Sequence, residues 1–200
     1  MIALIPGFLA GLSLIIAIGA QNAFVIKQGL LKQHVALIVT ICALADALLI
    51  FLGTGGLGTL IQRHPSLLEF IRWFGVAYLT WFGLKSLRSV FISQMLNATD
   101  GDGVPKSKVV ATCLGFTLLN PHVYLDTVIL LGSISNQFED NRWFFAIGAA
   151  LASVTWFSAI GFGARAASRF MSQPIFWKIL DSIIALIMFS IAATLAFFKF

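Results

Sequence analysis

Two carboxylic acids, Asp46 and Asp126, stand inside long apolar runs of this sequence, and Gln21-Asn22, Asn120-Pro121 and Tyr124 interrupt the same kind of run. A carboxylate in apolar surroundings, with no Lys or Arg in its own run, needs a cationic partner, a proton or both. Pro121 cannot donate to the carbonyl of Thr117, and its ring biases Asn120 away from helical geometry. A helix broken there presents the N-terminus of its second half, a positive dipole end suited to a carboxylate. These groups therefore suit non-covalent binding of charged ligands and uptake of protons. No nucleotide-binding loop, zinc-ligand spacing or nucleophile-base pair appears, so neither a primary pump nor a membrane hydrolase has support, and no cofactor is implied.

The elements that must position these residues follow from composition. The chain has 200 residues, 59% hydrophobic and 10% charged, with a mean hydropathy of +0.95. So few charges cannot coat a soluble globule, and the composition predicts an all-α integral membrane protein. Apolar runs at 2–24, 35–58, 67–91, 109–134, 143–163 and 175–198 are each long enough to cross a hydrocarbon core of about 30 Å as a helix. They are apolar on all faces, unlike the alternating strands of a membrane β-barrel. No Lys or Arg precedes Lys27, and the first run is too long for a signal-peptide core, so the first span is expected to remain in the mature protein.

The net charge of +5 comes from basic residues scattered through short connections, which argues against nucleic acid as a partner. Their distribution encodes orientation. Lys27 and Lys32, then Lys85, Arg88, Lys106 and Lys108, then Arg165, Arg169 and Lys178 fall on one side, nine of the thirteen. The positive-inside bias makes that side cytoplasmic and puts both termini outside. The segment 92–108, rich in Asp, Gly, Asn and Ser, is expected to be a flexible cytoplasmic linker between halves 1–91 and 109–200.

The halves resemble each other. ALADALLIFLGTGGLG from Ala43 aligns with ALASVTWFSAIGFGAR from Ala150, an offset of 107; FIRWFGVAYL from Phe70 aligns with FWKILDSIIA from Phe176; and Gly19-Ala20 aligns with Asn120-Pro121. Each half holds three spans, so a duplicated half must enter the membrane in the opposite direction. Six transmembrane helices in two inverted three-helix repeats suit alternating access, with a site of discontinuous helices near the midplane. Asp46, at the centre of its span, would cost about 2.5–3.5 kcal/mol to insert and should face the bundle interior. Asp126 lies about 7 Å along the helix from Pro121.

Other polar residues carry less. Asp181 follows Lys178 by three residues, which predicts a boundary ion pair on one helix face. His122, beside the break, is read first as a hydrogen-bonded structural residue and second as a proton relay. Cys42 and Cys113 lie in different spans and form no CxxC, so they read as small apolar fillers. Trp143 and Trp177 are span-end anchors, and Trp156 lies deeper, where packing is the first expectation and a place beside a substrate path the second.

QNAFVIKQG at 21–29, ALADALLIF around Asp46, RWFGVAYLTWFG at 72–83 and LLNPHVYLDTVILLGS at 118–133 resemble the LysE family of basic amino-acid exporters, in the branch with bacterial lysine and arginine exporters. The resemblance covers nearly the whole chain. It implies a transporter, not an enzyme, that exports L-lysine or L-arginine across the bacterial cytoplasmic membrane, driven by the membrane gradient. Carried over by position, it implicates Gln21, Asn22, Asp46, Asn120, Pro121, Tyr124 and Asp126 in substrate binding, and the two buried carboxylates, Asp46 and Asp126, are the groups for which protons are expected to compete. Two departures stand out: Ala20 occupies a position where the family commonly has proline, which predicts a softer first break, and Asp181 replaces a neutral polar residue. Neutral amino acids or a metal cation as cargo, and a thiol-redox carrier using Cys42 and Cys113, are the alternatives. The sequence leaves open whether the bundle works alone or as a homo-oligomer.

Overall fold

Long runs of Leu, Ile, Ala and Phe favour helices, which satisfy their own backbone N–H and C=O groups in apolar surroundings. The computed structural model describes residues 3–16, 19–57, 65–91, 105–167 and 174–197, and among these every element is helical. In chain order they are α1 (Leu4–Ile15), α2 (Ala20–Leu30), α3 (Val35–Leu52), α4 (Pro65–Phe91), α5 (Lys106–Leu118), α6 (Leu131–Asn136), α7 (Arg142–Ala167) and α8 (Pro174–Phe197). A wide helical turn, Gly53–Leu57, extends α3, and the turns Pro121–Val123 and Tyr124–Leu130 lead into α6.

The α3 stripe illustrates how sequence sets position. Ile38, Val39, Cys42, Ala43, Asp46, Leu49 and Ile50 are buried, while Leu44 and Leu48 are exposed. Asp46 therefore faces inward because it shares its phase with the apolar stripe. Across from α3, α7 buries mostly small residues, including Gly148, Ala149, Ala152, Ser153 and Gly161, and small residues let helix backbones approach closely in lipid. A Cβ on Gly148 would lie 2.1 Å from the Leu4 carbonyl oxygen, and one on Gly7 would lie 2.1 Å from that of Phe145. Hence α1 can pack on α7 only through these glycines. The other principal pairings are α3 with α7, α2 with α7, and α4 with α8.

By length and apolarity the described helices supply three membrane spans, at Val35–Leu57, Glu139–Ala167 and Ile175–Phe197, and a fourth if the bent pair α1–α2 counts as one. The six expected from sequence are thus met only in part. Glu69, Arg72, Lys85 and Arg88 lower the hydropathy of α4, and the 109–134 run is cut at Leu119–Asn120 into shorter pieces. Lys106 and Lys108, expected in the linker, lie on the first turn of α5, and linker residues 92–104 fall outside the described residues.

Candidate functional site

Both helix breaks meet at one cavity. At the first, α1 ends at Ile15 and α2 starts at Ala20 after an extended Gly19 (φ −102°, ψ −177°), and the two axes differ by 83°. Ala20 in place of proline does not prevent a sharp bend. The physical reason is that Gly19 leaves the helical conformation and the Asn22 side chain supplies a bond across the gap, Nδ2 donating to the Ile15 carbonyl at 3.0 Å. That carbonyl would otherwise lack its helical donor.

At the second break the polar side chains act as caps. The Asn120 Oδ1 accepts from the His122 backbone N–H at 3.1 Å, the arrangement of an N-cap residue. The Tyr124 hydroxyl donates to the Leu118 carbonyl at 2.9 Å. Beyond it the chain winds in a wider turn, with the Leu131 N–H bonding the Asp126 carbonyl five residues back. Such wide turns inside helices occur often at functional sites, and here one carries Asp126.

The cavity has a volume of about 250 Å³ and is lined by the polar residues Gln21, Asn22, Asp46, Asn120, His122, Asp126 and Thr127. Leu14, Ile15, Val123, Phe157 and Ile191 supply apolar walls, and Gly19 exposes backbone. Small-molecule sites commonly occupy about 300–1,000 Å³, so this one fits a single small solute. Asp46 is 4% exposed, and its Oδ2 accepts from the Ser153 hydroxyl at 3.0 Å. Gln21 is also buried, and its Nε2 has no hydrogen-bond partner among the described residues.

Five of the seven residues singled out from sequence, Gln21, Asn22, Asp46, Asn120 and Asp126, thus line one cavity, whereas Tyr124 closes the break from outside the lining. Pro121 starts the helical turn after the second break. His122, Thr127, Phe157 and Ile191 join the lining without having been chosen as site residues. Thr127 and His122 could have been found from their nearness to Asp126 and Pro121; Ile191, in an unremarkable apolar run, carries no signal. Trp156 packs against the core and its neighbour Phe157 lines the cavity instead.

Asp181 corrects the sequence reading. Its partner is Lys27 of α2, 154 residues away, and not Lys178. Asp181 is buried and Lys178 exposed, so the two face different surroundings despite their three-residue spacing. Cys42 and Cys113 form no disulfide and are fully buried in the main core.

Comparison with known proteins gives the arrangement its context. Lysine exporter LysE of Corynebacterium diphtheriae is 38% identical over 221 residues, covering 96% of this chain and 97% of that protein. Arginine exporter protein ArgO of Photorhabdus laumondii is 40% identical over 194 residues, covering 96% and 94%, and ArgO of Serratia proteamaculans is 37% identical over 195 residues, covering 96% and 95%. No solved structure matches. The family model described as LysE type translocator matches residues 12–198, and with relatives this similar over nearly their full lengths the chain belongs to the LysE family, as a transporter and not an enzyme.

Proposed function

We propose that the chain is a secondary transporter that exports L-lysine or L-arginine through the bacterial cytoplasmic membrane in exchange for protons. Its six spans form two inverted three-helix repeats, 1–91 and 109–200, joined by the cytoplasmic segment 92–108, with both termini outside. The observation that carries this reading is the meeting of two helix breaks and two carboxylates, Asp46 and Asp126, in one small cavity.

The packing supports the repeat. Asp46 and Ser153 occupy equivalent positions at the sequence offset of 107 and hydrogen-bond each other, as expected for residues beside a pseudo-two-fold axis. The pairing of α2 with α7 corresponds to that of the Tyr124–Leu130 turn and α6 with α3, and α1 on α7 corresponds to α5 on α3. Glycine contacts recur as well: a Cβ on Gly29 would lie 2.5 Å from the Gly161 oxygen, and one on Gly132 would lie 2.7 Å from the Gly53 oxygen.

In this mechanism the substrate α-carboxylate sits at the N-terminus of α2, whose first N–H groups have no intrahelical partner and where Gln21 Nε2 offers a further donor. The side-chain cation lies between Asp46 and Asp126. Protons entering from outside compete for the same carboxylates, so substrate leaves as they arrive. Moving one positive charge outward against an interior-negative potential costs about 2.3 kcal/mol per 100 mV. Exchange for an incoming proton cancels that cost.

The relatives named for lysine and arginine export support this cargo over neutral amino acids or a metal cation. The thiol-redox alternative predicts loss of activity with Cys42→Ala or Cys113→Ala, which the cation exporter tolerates. The deciding experiment is release of labelled lysine, arginine, leucine and threonine from reconstituted vesicles, with and without a proton gradient. Gradient-dependent release of the basic pair alone is expected; equal leakage of all four would sink the proposal.

A further inference from the structure

The Lys27–Asp181 ion pair is not explained by the cavity, which it does not line. It joins α2 of the first half to α8 of the second, and its side chains are 20% and 9% exposed. Lys27 lies six residues beyond the cavity residue Gln21, about 9 Å along the helix, and Asp181 lies ten residues before the cavity residue Ile191, about 15 Å. Both displacements lead toward the end of the bundle that carries Lys32, Arg88, Lys106 and Arg165, the cytoplasmic side by the positive-inside bias.

A second layer lies between the pair and the cavity. Phe24, one turn before Lys27, packs against Phe116 of α5 and Phe82 of α4, with ring centroids 5.5 and 6.3 Å away, and Phe82 and Phe116 are 4.7 Å apart. All three rings are buried. The ring cluster and the ion pair together tie α2 to α4, α5 and α8 on the cytoplasmic side of the site.

We propose that Lys27–Asp181 is the latch of the cytoplasmic gate, and that a cationic substrate opens it by taking the place of the Lys27 ammonium on Asp181. The chemistry matches, because the latch cation is a primary ammonium, the same group that a lysine side chain presents. A latch that permanently satisfied Asp181 would block export; one that an equivalent cation can displace opens when substrate arrives. This substrate dependence rests on the proposed basic amino-acid cargo, whereas the latch itself does not. Lys85 is within electrostatic reach of Lys27 and can compensate partly for its loss, so removing Asp181 opens the gate more than removing Lys27.

The test uses the full chain with Cys42→Ser and Cys113→Ser, and a reporter Val123→Cys in the cavity wall, in inside-out vesicles exposed to a membrane-impermeant thiol reagent. Asp181→Asn is expected to raise the labelling rate about tenfold, a population shift of about 1.4 kcal/mol, and Lys27→Gln to raise it less. The swapped pair Lys27→Asp with Asp181→Lys restores slow labelling. Added lysine speeds labelling of the unaltered latch, added leucine does not, and the lysine effect disappears in Asp181→Asn. Parent-rate labelling in both single variants, or fast labelling in a correctly inserted swap, overturns the latch. Should the unaltered protein move no lysine or arginine while Asp181→Asn still admits the reagent, the cargo reading fails and the latch stands.

Discussion

The two helix breaks solve the same problem with different residues. At Asn120-Pro121 the interruption is written into the backbone: proline removes a donor and disfavours helix before it, and Asn120 and Tyr124 close the exposed groups locally. At Gly19-Ala20 no proline intervenes, yet the axes differ by 83°, held by the bond from Asn22 to Ile15 and by the packing of α1 and α2 on α7. The first break is thus set by tertiary contacts and the second by local chemistry. The carboxylates differ in parallel, since Asp126 rides on the broken segment itself, whereas Asp46 comes from a neighbouring unbroken helix.

The largest expected effect tests the carboxylates. Asp46→Asn should reduce proton-driven release of lysine or arginine from vesicles by more than about 100-fold while insertion is retained, because a carboxylate this buried cannot be replaced by solvent. Asp126→Asn, at a partly buried position, should cost less. Equal losses would remove the distinction between the two.

Packing comes next. Gly29→Val should greatly lower the yield of folded protein in detergent, since even a Cβ there would lie 2.5 Å from a backbone oxygen of α7, and overpacking of that kind costs about 1–3 kcal/mol or more. Retention of normal thermal stability would count against a first break held by packing on α7. A smaller contrast follows from the bridging bonds. Asn22→Ala strands a part-buried carbonyl and should cost about 1–3 kcal/mol in thermal stability, whereas Tyr124→Phe removes a more exposed bond worth about 0.5–1.5 kcal/mol. The smallest effect belongs to Ala20→Pro. Proline suits the first position of a helix, where the N–H has no intrahelical partner, so transport should stay within about twofold; a large loss would mean that the Ala20 N–H or the fully buried space around it is needed.

Much of this arrangement is legible in the sequence because it is local. The helical class follows from composition, the second break from Pro121, and the inward direction of Asp46 from its place in the stripe Val39, Cys42, Ala43, Leu49 and Ile50. The equivalence of Asp46 and Ser153 is also contained in the 107-residue offset, although only their hydrogen bond gives it meaning. Span number is less legible, because α4 mixes charges with aromatics and the 109–134 run breaks into pieces.

The sequence by itself determined that the chain forms apolar helices, that a proline interrupts one of them, and that carboxylates lie where no cation of the same run can neutralise them. These are consequences of backbone chemistry and of residue spacing along one helix. Tertiary structure alone decided that Asp181 pairs with Lys27 and not Lys178, and that Phe157 and Ile191 complete the wall around Asp46 and Asp126. The physical reason is reach: spacing along a helix says which residues share a face, but the partner that face meets, 154 residues away in the case of Asp181, depends on how the helices pack.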